Sequence, residues 1–160
     1  MPTSKRRPPA QSDPEKQLDS FLDKYSPEIA AVGRATRARM RKLLPTAHEL
    51  VYDNYNALAI GYSPTEKASD GIFSIALYTR WVRLFFLQGA GLPDPDGPLE
   101  GSGSTVRSIR LTSGAADLDK PAVKKLIAVA LKAAKTPIDP KVGPGTLLIK
   151  SISAKQRPRR

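Results

Sequence analysis

Glu49 and Asp53 stand four residues apart in the stretch His48-Glu49-Leu50-Val51-Tyr52-Asp53. Residues four apart in an extended strand share a face, so the two carboxylates would project together. Paired carboxylates can hold a hard cation or move protons; the alternative is a pair that faces water. A second acidic group, Asp94, Asp96 and Glu100, lies in a Gly- and Pro-rich stretch. Its Asp-Pro-Asp-Gly segment has the composition of a calcium loop, but Pro95 and Pro98 break the required Asp-x-Asp-x-Asp-Gly spacing. Asp94 fits turn chemistry instead. Together with Glu100, Arg107 and Arg83 it marks the surroundings of this stretch as a candidate ligand site. Arg34, Arg37 and Arg41 fall on one side of a helix by 3.6-residue spacing. That ridge could contact phosphates, or it is a solvated helical face. His48 is the sole histidine and has no second His or Cys to support a ligand role. Gly101-Ser102-Gly103-Ser104-Thr105 has the composition of a phosphate cradle but lacks the Gly-Lys-Ser/Thr ending and opens a strand. No cysteine is present, which removes disulfides, thiolate metal sites and thiol nucleophiles. Nothing has the spacing of a catalytic centre, so no reaction and no cofactor are expected.

Several elements must position these residues. Ser26-Pro27-Glu28 reads as a helix start, with Ser capping, Pro at the first helical position and Glu at the positive end of the dipole. A short helix over about 15–24 precedes it. The helix that follows should bury Ile29, Val32, Thr36, Met40 and Leu43, and Pro45 ends it. Strands are expected at His48–Asp53, Leu58–Tyr62, Phe73–Tyr78, Val82–Leu87 and Thr105–Leu111. Val82–Leu87 is apolar on nearly both sides, as a central strand would be. The connection Gly89–Ser104 contains five Gly and three Pro. It is longer than the roughly 4–6 residues typical of compact domains, and long ordered loops are often functional. A last amphipathic helix starts at Asp119-Lys120-Pro121, with Val123, Leu126, Ile127, Ala130, Leu131 and Ala134 as its core face.

The central block carries a family resemblance. Leu84-Phe85-Phe86-Leu87-Gln88-Gly89-Ala90-Gly91-Leu92-Pro93-Asp94-Pro95, followed by Leu99-Glu100-Gly101-Ser102-Gly103-Ser104-Thr105-Val106-Arg107-Ser108-Ile109-Arg110-Leu111, resembles the signature of the YdhG-like family, catalogued as domain of unknown function 1801. The order of elements over about 17–135 is similar too. Two positions depart from the pattern: Ser104 stands where Lys is common, and Ser108 where His is common. A ligand role resting on that Lys or His does not carry over. The resemblance implies a small bacterial α+β domain, mostly without assigned activity. One branch is described as a frataxin-like iron chaperone, which would draw on Asp94, Asp96, Glu100, Glu49 and Asp53.

The fold expected is therefore α+β: about five mostly antiparallel strands packed with N-terminal helices and a C-terminal helix. Residues 1–14 read as a disordered, basic, Pro-rich tail, 15–135 as the domain, and 136–160 as a loosely ordered basic extension. Within that extension the run Leu147-Leu148-Ile149 could add an edge strand or bind a partner. No apolar run is long enough for a transmembrane helix and the start lacks a secretory h-region, so a cytoplasmic protein is expected. The net charge of +11 is uneven. Residues 46–118 hold five basic and eight acidic side chains, whereas 119–160 hold eleven and two. Three functions follow. A small ligand or protein partner binds beside 89–104 without catalysis; or iron binds; or the basic ends bind nucleic acid weakly and without sequence preference.

Overall fold

A computed structural model describes residues 13–94 and 97–160. The expected tail therefore lies, up to residue 12, outside the described residues, as does Asp96. Helix α1 spans Pro14–Leu22; the Asp13 side chain accepts from the Lys16 N–H at 3.1 Å, and Pro14 occupies the first helical position. Its buried face is Leu18, Phe21 and Leu22. Helix α2 spans Pro27–Leu43 and starts as its sequence dictates, with Ser26 Oγ accepting from the Ile29 N–H at 3.3 Å. It buries Ala30, Gly33, Thr36 and Met40. Leu43 departs from the periodic reading and is 49% exposed. The backbone leaves the helix at Leu44, which takes the buried place instead.

Six strands follow: β1 (His48–Asp53), β2 (Leu58–Ser63), β3 (Phe73–Leu77), β4 (Val82–Phe86), β5 (Arg107–Arg110) and β6 (Leu147–Ile152). Helix α3 (Pro121–Ala133) lies between β5 and β6. The sheet order is β5-β4-β3-β2-β1-β6, antiparallel throughout except for β6, which runs parallel to β1. Alternation sends Val51, Ile60, Ile75 and Leu84 to one face, where they join the apolar sides of all three helices in one core. The opposite face carries small residues at its centre, and the helices leave it uncovered. Two register rows cross it: Tyr52, Ala59, Ala76, Arg83 and Arg110, then Leu50, Gly61, Ser74, Phe85 and Ser108.

The α+β class agrees with the sequence reading, but the sheet has six strands and is mixed. The extra strand comes from the segment expected to be loose. The Leu147-Leu148-Ile149 run satisfies its backbone on the free edge of β1, where the Glu49 N–H donates to the Thr146 carbonyl at 2.8 Å, and a bulge follows between Val51 and Tyr52. Further on, Arg159 is 6% exposed. The lead into β6 passes so close to β1 that position 145 admits no side chain. Its N–H donates to the Pro45 carbonyl, and a Cβ there would lie 1.8 Å from the Ala47 carbonyl oxygen. That obstacle is backbone and cannot rotate away. Gly145→Ala is expected to cost about 2 kcal/mol or more. Urea unfolding should show a lower midpoint with little change in slope; an unchanged midpoint would mean that β6 is not held here.

Candidate functional site

A cleft of about 620 Å³ opens beside the 89–104 connection. Four elements build it. The end of β4 supplies Phe86 and, just beyond, Gln88. The 3₁₀ turn Gly89–Gly91 supplies Ala90 and leads to Leu92. The 3₁₀ turn Ala68–Asp70 supplies Asp70, with Ile72 following. The last turn of α3 supplies Ala130, Ala133 and Ala134. The turn at Gly89 sits tightly on β5: a Cβ there would lie 2.7 Å from the Arg107 Cβ, so glycine is what lets the loop close against the strand. The Ala90 N–H then donates to the Thr105 carbonyl at 2.9 Å and holds the two arms of the loop together.

The cleft floor is apolar, from Ile72, Phe86, Leu92 and Ala130, and its margin is polar. Asp70 is anchored there, accepting from Thr65 Oγ1 at 2.7 Å and from Thr136 Oγ1 at 3.4 Å. The carbonyls of the last turn of α3 have no partner within the helix and carry the negative end of its dipole. Asp70 and this helix end make the margin a place for hydrogen-bond donors or a cation, with the exposed Lys135 at its rim. The volume and the mix of apolar floor and few polar groups are those of a small-molecule site.

None of the four residues expected to bind a ligand lines this cleft. Arg83 and Glu100 do come together, Nη1 to Oε1 at 3.1 Å, with Arg83 also donating to Ser108 Oγ at 2.9 Å, but on the uncovered face. Arg107 donates to the Gly103 and Val106 carbonyls, and Asp94 accepts from the Leu99 N–H at 3.1 Å. Both shape the loop. The cleft residues that sequence reading passed over, Asp70, Gln88 and Thr136, are polar residues in connections, and Thr105 enters that reading as a candidate only in the phosphate-cradle composition. Only the length of the 89–104 stretch pointed toward them.

The other candidate residues are engaged with one another. Glu49 and Asp53 do share a face, but it is the buried face. Glu49 takes a forked contact from Arg37 at 2.9 and 3.0 Å and accepts from the Tyr62 hydroxyl at 2.8 Å. Burial, reinforced by the Glu49 charge, pushes the Tyr62 phenol well above its ordinary value. Asp53 accepts from Lys24 at 2.8 Å and from Arg159 at 2.9 Å. Burial alone would raise its pKa, but these cations hold it below the ordinary carboxylate value. The arginine ridge of α2 is likewise spoken for. Arg37 also grips Glu15, Arg34 bridges Asp19 and Asp23, and Arg41 lies 3.8 Å from Glu49. His48 Nδ1 lies 3.1 Å from the Thr146 backbone N and 2.9 Å from Thr146 Oγ1, so the ring is tied to the lead into β6. Among the described residues no group of three or more His, Cys, Asp or Glu is gathered to hold a metal ion, and no helix is long and apolar enough to cross a membrane. Of the carboxylates implied as iron ligands, Glu49, Asp53 and Glu100 lie in separate ion pairs and Asp94 in a turn, while Asp96 lies outside the described residues. Compared with known proteins, the chain matches no protein-family model, no curated protein and no solved structure.

Proposed function

We propose that this chain is a non-enzymatic domain, YdhG-like in its central block, that binds a small molecule in the cleft beside the 89–104 connection. The observation that carries this reading is the cleft itself. Its apolar floor ends at a margin where Asp70 and the α3 carboxyl end offer acceptors. The ligand has an apolar body and a donor or amine head. Arylalkylamines, with the matching alcohols as neutral controls, are the probes. A ligand held at 100 times its Kd adds about 2.7 kcal/mol of stability, which a thermal-shift assay reads easily. Amines should raise the melting temperature more than alcohols. Ala133→Phe, which fills the cleft from the exposed end of α3, should abolish the shift; Asp70→Asn should weaken amine binding about tenfold. Shifts that survive Ala133→Phe would place the ligand elsewhere and end this reading.

A further inference from the structure

We propose that the uncovered face of the sheet is a stacking platform for single-stranded nucleic acid. A depression of about 510 Å³ lies on this face. Its floor is small, formed by Ala59, Ser74 and Ala76, and its walls are Tyr55, Tyr78 and Phe85. A floor of small side chains between aromatic walls accepts a flat ring. Every nucleobase presents such a ring whatever the sequence, so a platform of this kind is sequence-tolerant. The amides of Asn54 and Asn56 stand at the same margin and supply donors and acceptors for base edges.

Charge selects the occupant. Arg80 in the β3–β4 turn, Arg110 on β5 and Arg157 beyond β6 border this end of the face. Among the described residues none of the three makes an ion pair, whereas Arg34, Arg37, Arg39 and Arg41 of α2 all do. Arg110 lies over the Trp81 ring at 4.7 Å and Arg157 over the Tyr55 ring at 5.8 Å, so cation and aromatic are presented together. Guanidinium groups without carboxylate partners, set among aromatic rings, suit a ligand that alternates phosphates with flat bases. A second copy of the same face would instead bring these arginines against one another. The basic face thus differs from the α2 ridge, and it takes from the basic chain ends only Arg157, which the fold brings beside Tyr55.

Trp81 is the only tryptophan, so it reports on this face alone. The full chain is titrated with fluorescein-labelled 15-mers of thymidine and of uridine, following anisotropy and Trp81 emission. Both should bind and quench Trp81, and the weaker of the two arms shows whether RNA or DNA is preferred. Tyr55→Ala with Tyr78→Ala changes no charge and should weaken binding about tenfold or more. Arg110→Gln with Arg157→Gln should lower the slope of log Kd against log salt by about 1.4 for two lost phosphate contacts. Should the tyrosine pair fail to fold by circular dichroism, Ala59→Phe, which raises the floor, serves in its place. Heparin, a polyanion without bases, should bind indifferently to the tyrosine pair. The proposal is overturned by wild-type affinity in the aromatic variants or by equal affinity for a 15-base-pair duplex. It is equally overturned by binding that leaves Trp81 unquenched, by heparin losing as much affinity as the oligomers, or by a dimer that shields Trp81 before any oligomer is added.

Discussion

Asp53→Ala is expected to lower the melting temperature by roughly 6–20 °C. Asp53 is fully buried, and its Oδ1 is 2.9 Å from Nη2 of Arg159, which is itself buried and lies over the Tyr25 ring at 5.6 Å. Removing the carboxylate leaves a guanidinium stranded in a low-dielectric setting. Breaking a buried pair from one side costs about 3–5 kcal/mol, and each kcal/mol moves the melting point of a chain this size by about 2–4 °C. Arg159→Ala should cost less, because Lys24 still faces Asp53 at 2.8 Å. The double variant should be more stable than the two single losses predict. Acid supplies the same test without mutation. Asp53 has its carboxyl held below the ordinary value, as do Glu15 and Asp117. The unfolded chain therefore takes up protons first as pH falls. This contribution is complete above about pH 5 and is lost progressively below it, as pH descends through the unfolded and then the folded values. Asp53→Asn should start lower at pH 7 and decline less steeply in acid. If both single variants melt within a degree of wild type, Arg159 is not anchored on Asp53.

The second large effect separates two arginines on one ridge. Arg37→Ala is expected to cost about 2–4 kcal/mol, read by urea unfolding, while Arg41→Ala should cost less than about 0.5 kcal/mol. Arg37 is 13% exposed and satisfies two carboxylates at once; Arg41 is 56% exposed, with a 3.8 Å contact. Burial by itself would lower the Arg37 pKa, but the bonds from Glu49 and Glu15 raise it above the ordinary value. Its removal leaves Glu49 buried with the Tyr62 hydroxyl as its remaining close partner. Equal losses from the two substitutions would mean that the ridge acts as a diffuse charge and that no Glu15–Arg37–Glu49 bridge exists.

Local chemistry made much of the fold legible. The Ser26 cap, the Pro that opens α2 and α3 and the alternation in β3 and β4 are contained in runs of a few residues, and the structure has them where the pattern puts them. What stayed hidden depends on partners distant in sequence. Glu49 and Asp53 resemble water-facing carboxylates because their cations lie 12, 29 and 106 residues away. Strand β6 reads in the sequence only as an optional edge: three aliphatic residues followed by Lys150-Ser151 do not announce a strand, and a parallel partner needs a long crossover. The cleft showed itself in the sequence only through the loop that borders it. Its polar groups come from four separated segments, none of which has a motif of its own.

The bond between Asp53 and Arg159 also sets an order of events during synthesis. The β1–β2 hairpin is local and can form as soon as its residues leave the ribosome, since short-range contacts close fastest. Its buried carboxylate must then wait while another hundred-odd residues are translated before Arg159 arrives. At about 5–20 residues per second that interval is several seconds or more, during which β1 has an open edge where β6 will lie. The nascent domain is therefore exposed to strand-to-strand aggregation until its final strand docks. A chain released early, short of residue 147, keeps that exposed edge for good.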